Sequence, residues 1–218
     1  MPEVIFNGPA GRLEGRYHHS ATPRPPLALV LHPHPVYGGT MNNRVVYEIY
    51  YAFQRRGFSV LRFNFRGVGR SQGQFDSGVG ELSDAASALD WLQLTNPNAS
   101  ECWIAGFSFG SWVAMQLLMR RPELVGFIAV SPPANMFDFG FLAPCPSSGL
   151  IIHGDDDQVA PRPAVQKLLE RLQSQKAIKV DFADIHGANH FYEEQLDELA
   201  GTVETYVERR RAEAAQAE

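Results

Sequence analysis

Short apolar runs alternate along this chain with longer segments whose apolar positions recur at helical spacing. The runs at 27–31, 58–63, 102–105, 124–130, 150–152 and 178–182 read as strands. The first has no polar position, as expected when both faces of a sheet are covered. Between them, 43–56 places Val46, Ile49, Tyr50 and Phe53 on one stripe and stops at Gly57, a helix with its terminator. Residues 81–94 carry Leu82, Ala85, Ala86, Leu89 and Leu92 on one face, and 164–172 and 195–210 also read as helices. Residues 4–6 and 13–17, joined by Asn7-Gly8-Pro9-Ala10-Gly11, predict an antiparallel hairpin.

Strands alternating with helices predict an α/β fold, a mostly parallel sheet with helices on both faces. There is no internal repeat and no linker, so 1–218 is expected to form a single domain. Composition changes this picture little, with 44% hydrophobic and 20% charged residues. Net charge narrows the partners: at −5, with the Arg209-Arg210-Arg211 run followed by Glu213 and Glu218, no nucleic-acid surface is expected. The two cysteines, Cys102 and Cys145, are far apart and outside any C-x-x-C motif, which fits a reducing compartment. The N-terminus lacks a basic leader, and no apolar run approaches the ~18 residues of a membrane span. The expectation is a soluble cytoplasmic protein with no membrane partner; the oligomeric state is not legible.

Two glycine-rich turns carry candidate chemistry. Gly67-Val68-Gly69-Arg70-Ser71-Gln72 fails as a dinucleotide fingerprint, because Gln72 stands where the third glycine belongs and no helix follows at once. Gly106-Phe107-Ser108-Phe109-Gly110 follows the 102–105 strand and precedes Val113, Ala114, Leu117 and Leu118 at helical spacing. A serine between glycines at a strand-to-helix junction is the pattern of a nucleophile elbow, whose tight turn leaves no room for side chains on either side. Other polar residues follow strand ends: His32, His34, Arg66, the Asp155–Asp157 run, His186 and His190. A serine nucleophile needs a base and a carboxylate to orient that base. The residues alone leave Asp155, Asp156 and Asp157 open for the acid and His186 and His190 for the base.

From Leu27 to the C-terminal helix the chain resembles the α/β-hydrolase superfamily. The resemblance rests on four motifs. They are Leu31-His32-Pro33-His34-Pro35 with Gly38-Gly39, Phe65-Arg66-Gly67-Val68-Gly69-Arg70-Ser71, the elbow, and His153-Gly154-x-x-Asp157 with Gly187-Ala188-Asn189-His190-Phe191. The first two are most similar to small, lidless bacterial hydrolases related to dienelactone hydrolases. Those usually carry cysteine at the elbow, so Ser108 points to an esterase. The resemblance implies an α/β-hydrolase fold with an antiparallel N-terminal strand region and no separate lid domain. It assigns Ser108 as nucleophile, Asp157 as acid and His190 as base, with no metal or organic cofactor. The oxyanion hole is expected to use the backbone N–H of Phe109 and one from the loop after Leu31. Proline has no N–H to give, so within 32–35 His34 is the candidate.

The expected reaction is cleavage of a small ester or thioester through an acyl-enzyme. Tyr37, Phe107, Met136, Phe137 and Phe191, and with them Phe139, Phe141 and Tyr192, are the apolar candidates for an acyl site, although core is the usual fate of aromatics. Two competing readings remain: a catalytically silent hydrolase-fold binding module, and a metal-dependent hydrolase using His32 and His34.

Overall fold

The computed structural model describes residues 2–217, Ala217 by its backbone alone. Strands β1 (Glu3–Gly8) and β2 (Gly11–His18) form the expected antiparallel hairpin. Then come β3 (Leu27–Leu31), α1 (Arg44–Arg55), β4 (Ser59–Phe63), α2 (Val79–Thr95), β5 (Cys102–Phe107) and α3 (Phe109–Leu118). The chain closes with β6 (Leu124–Val130), β7 (Gly149–Gly154), α4 (Arg162–Gln173), β8 (Val180–Ile185) and α5 (Leu196–Ala217). The strands make one sheet in the order β1-β2-β4-β3-β5-β6-β7-β8. β2 is antiparallel to β1 and β4, and every other pairing is parallel.

Each face of the sheet has its own core. α1 and α5 cover one face, where Val46, Ile49 and Phe53 pack with Leu199, Val203 and alternate residues of β3 and β5. α2, α3 and α4 cover the other with Leu89, Val113 and Leu169. This is the expected α/β-hydrolase architecture. The β6–β7 connection, which carries Phe137, Phe139 and Phe141, contains no helix and adds no lid.

Several elements depart from the sequence reading: α5 runs on to Ala217 where 195–210 was expected, and β1 and β7 are longer than 4–6 and 150–152. β8 starts and ends later than 178–182 because it is an edge strand whose register is set by its pairing with β7, Val180 opposite Gly149 and Ile185 opposite Gly154. Its half-exposed polar positions, Asp181 and Asp184, break the apolar run that would have revealed it. The inner face of α2 is also not purely apolar: Asp84 is fully buried. Its carboxylate accepts from the Arg66 backbone N–H and Nε at 3.0 Å and from Nη2 at 2.8 Å. Arg66 is thereby committed to tying the turn after β4 onto α2.

Candidate active site

The parallel strands end along one rim, and the loops beyond their carboxyl ends hold the reactive side chains, as in open α/β sheets generally. Ser108 sits between β5 and α3 with φ +53° and ψ −123°, a conformation an L-residue adopts only under constraint. The constraint is backbone packing. A Cβ on Gly106 would land on the Gly110 carbonyl, and one on Gly110 would land on the carbonyl oxygens of Leu31 and His32. The turn presses α3 against the end of β3 and raises the serine above the sheet edge.

Ser108 Oγ lies 3.1 Å from His190 Nε2, and His190 Nδ1 lies 2.8 Å from Asp157 Oδ2. Because a carboxylate only accepts, Nδ1 carries the proton and Nε2 faces the serine with its lone pair. All three residues are nearly enclosed, at 6%, 5% and 4% exposure. The other Asp157 oxygen, Oδ1, accepts the N–H groups of Val159 (2.9 Å) and Ala160 (2.8 Å). Burial works to raise the Asp157 carboxyl. The hydrogen bond and charge of His190, with the Ala160 N–H and the Ser131 hydroxyl, outweigh it and hold the group below the usual carboxylate range.

Asp155 and His186 pair with each other instead. His186 Nδ1 is 2.7 Å from Asp155 Oδ2, and the Gly187 N–H donates to Oδ1. The His186 side chain is 99% exposed, outside the serine's surroundings. That contact raises the His186 pKa and lowers that of Asp155. Asp156 is exposed.

His32 is fully buried and both ring nitrogens are occupied. Nε2 accepts the Phe65 N–H at 3.0 Å, and Nδ1 lies 2.7 Å from the Pro33 carbonyl oxygen. That leaves it no lone pair for a metal. Burial lowers its pKa to about 4, against the opposing pull of Pro33. The His34 ring packs against Tyr37, Phe75 and Phe109, with centroids 4.7–4.9 Å away. Its Nδ1 accepts from the Val36 N–H and caps the short turn Pro35–Tyr37. Burial also lowers the His34 pKa. The His34 and Phe109 rings are thus in tilted contact at 55°, and among the described residues no protein group accepts from either backbone N–H.

A cleft of about 410 Å³ opens over Ser108 and His190. Tyr37, Met136, Phe137 and Phe191 line it, as the sequence suggested, together with Pro33, Asn43 and Val159. Phe107 does not. It is fully buried on the α5 face and packs under the imidazole, 5.0 Å from the His190 ring centroid. Phe139 and Tyr192 are buried as well. Asn43 is also the N-cap of α1, its Oδ1 accepting the Val45 N–H at 2.9 Å, and the sequence marks it only as that helix start. Val159 carries no sequence signal beyond its place two residues after Asp157. A larger groove of about 720 Å³ lies between β8 and α5, lined by residues such as Asp181, Thr202 and Arg209. No serine, cysteine or histidine is among its described lining residues, so the chemistry belongs to the smaller cleft.

Comparison with known proteins shows the family and the fold. The sequence model of the X-Pro dipeptidyl-peptidase (S15) family matches residues 10–216. The chain belongs to the S15 peptidase family. This S15 member is 60% identical to an Agrobacterium tumefaciens protein of unknown function, grouped with the α/β hydrolases, whose solved structure superposes at a TM-score of 0.94 with 97% of each chain covered. It is 32% identical to a lidless α/β serine hydrolase of Xanthomonas campestris, at a TM-score of 0.86 over 95% of this chain and 94% of the other. An uncharacterized Rickettsia prowazekii protein is 53% identical over 211 residues, 95% of this chain and 89% of the relative. The S15 chain is therefore an α/β-hydrolase-fold protein of the serine hydrolase type. Among its described residues no helix is long and apolar enough to cross a membrane.

Proposed function

We propose that this protein is a serine hydrolase of the carboxylesterase and thioesterase type, acting on small acyl esters through Ser108, His190 and Asp157. The observation that carries this reading is the unbroken hydrogen-bonded line from the serine hydroxyl through the imidazole to the buried carboxylate, opening into an apolar cleft. Ser108 Oγ forms the bond to the substrate carbonyl carbon as its proton passes to His190 Nε2. Negative charge on the former carbonyl oxygen is met by the N–H groups of Phe109 and His34, which no protein group engages among the described residues. Collapse breaks the bond to the leaving alkoxide or thiolate, which takes the proton from His190. Water, activated by the same imidazole, then frees the acid and restores the serine. Asp157 holds the imidazole tautomer throughout.

The family name suggests a second reading, removal of Xaa-Pro dipeptides. That activity requires a grip on a free α-ammonium, for which a carboxylate is the natural partner. The described residues lining the cleft include none, whereas Met136, Phe137, Val159 and Phe191 offer an apolar wall for an acyl or alcohol chain. Assay against p-nitrophenyl esters of graded chain length, acyl thioesters and Xaa-Pro-p-nitroanilides separates the readings. We expect ester turnover, reduced at least ~10³-fold by Ser108→Ala, with Xaa-Pro amides far slower. Equal turnover by Ser108→Ala and the parent would end the assignment of the reaction to Ser108, and no turnover by either would favour the silent binding module. Faster Xaa-Pro cleavage than ester cleavage would favour the peptidase.

A further inference from the structure

The turn that carries Asp157 is held by a histidine that touches neither Ser108 nor His190. His153, near the end of β7, is fully buried and shares with Ile151 the sheet face that α4 covers. Its Nε2 lies 2.9 Å from the Ala160 carbonyl oxygen. Ala160 is also one of the two residues whose N–H groups meet Asp157 Oδ1, at 2.8 Å, Val159 being the other at 2.9 Å. One residue is thus gripped at both ends, by Asp157 through its N–H and by His153 through its C=O. The rest of the turn is tied elsewhere. The Asp155 and Asp156 N–H groups donate to the Ile185 and Ala188 carbonyls at 3.2 and 3.1 Å, and Asn135 Nδ2 donates to the Val159 carbonyl at 3.1 Å.

A carbonyl oxygen only accepts, so Nε2 of His153 carries a proton and donates it. Nδ1 is buried with no hydrogen-bond partner. The residue opposite it in register on β8, Asp184, has a carboxylate oxygen 3.9 Å away and is itself paired with Arg162. Packing alone does not account for an imidazole here. Leucine would fill the position without burying an unpartnered nitrogen, whose lost hydration no bond replaces. What histidine adds is one donor, delivered to the residue that anchors Asp157. The next residue acts from the side: a Cβ on Gly154 would land on the Ala188 carbonyl, so its absence lets the strand end close on the loop that carries His190. The spacing His153-Gly154-x-x-Asp157 thereby acquires a physical reason.

We propose that His153 is a positioning residue that acts through Ala160, keeping two N–H groups on Asp157 Oδ1 so that Oδ2 stays on His190 Nδ1. Its kinetic consequence rests on the esterase reading above. Two amides separate the donor from the bulk: the side-chain nitrogen of glutamine falls where Nε2 of histidine stands, and that of asparagine where Nδ1 stands. His153→Asn and His153→Leu, which offer Ala160 no donor, are expected to lower kcat on a p-nitrophenyl ester ~10- to 100-fold with KM changed less than about twofold. His153→Gln is expected to keep kcat within about threefold of the parent. Should one donor-free variant fail to fold, the other makes the comparison with His153→Gln. In an Asp157→Ala background a donor-free substitution is expected to lower kcat no further, because the carboxylate it serves has gone. The low-field Nδ1 proton resonance of His190, read without substrate, is expected to move in the donor-free variants and to stay in place in His153→Gln. Equal kcat in the donor-free and Gln variants, an undiminished loss in the Asp157→Ala background, or an unmoved resonance in the donor-free variants would overturn the proposal. If Ser108→Ala turns esters over as fast as the parent, the esterase reading fails and the resonance alone decides. Movement without the donor and none with glutamine upholds the role of His153, and any other pattern ends it.

Discussion

At the scale of single residues, two carboxylates two positions apart do different work because one faces inward and the other outward. Asp157 is enclosed and accepts from two backbone N–H groups and His190, whereas Asp155 meets an exposed histidine at the surface. Asp157→Asn keeps the shape but reverses what Nδ1 of His190 meets, and kcat on a p-nitrophenyl ester should fall ~10⁴-fold. Asp155→Asn should stay within about twofold of the parent in the same assay. Reversed outcomes would move the acid to Asp155. The Asp155–His186 pair lies at the surface, with the imidazole in solvent, so its removal should change stability little. Phe107 gives a related lesson. It neighbours Ser108 in sequence, yet it belongs to the opposite core face and supports the imidazole from beneath, because successive strand residues point to opposite sides.

At the scale of elements, the site depends on how closely α3 can approach β3. A methyl group at Gly110 has no free volume against the Leu31 and His32 carbonyls, and backbone cannot give way as a flexible side chain does. Gly110→Ala should therefore destabilise by about 3 kcal/mol or prevent folding, measured by urea unfolding. α2 offers a second test. Asp84 is buried with its three Arg66 contacts, so Asp84→Ala leaves the mostly buried guanidinium with only the exposed Asp76 carboxylate at 3.9 Å. A loss of ~3–5 kcal/mol is expected, and a change below about 1 kcal/mol would mean that Arg66 simply swings into solvent. Periodicity could not announce this pair, because Asp84 occupies an inner-face position that the helix stripe marks as apolar. Edge strand β8 was displaced for the related reason that a half-exposed strand is written in mixed residues.

At the scale of the whole molecule, the rim links fold stability to acidity through His32. Its pKa is lowered to about 4 from an ordinary 6.5 because the ring is wholly buried. The unfolded chain therefore binds a proton more readily between these values. The stabilisation is complete above pH 6.5 and is lost as pH falls through 4, amounting to about 3 kcal/mol. Urea midpoints measured from pH 7 to pH 4 should show this decline, and His32→Gln should flatten part of it. An unaltered decline in that variant would assign it to other groups. What the sequence determined by itself was local: apolar runs and stripes that name the strands and helices, the glycine pair that makes the elbow, and the order serine, acid, histidine. These are legible because backbone sterics and the burial period act between near neighbours. The residues alone left three adjacent aspartates and two histidines open, and the family resemblance chose Asp157 and His190. Tertiary structure alone decided which aromatics face the cleft and that Phe107 lies beneath the imidazole. Those choices depend on side-chain direction and on burial against residues dozens of positions away, and no local pattern encodes either.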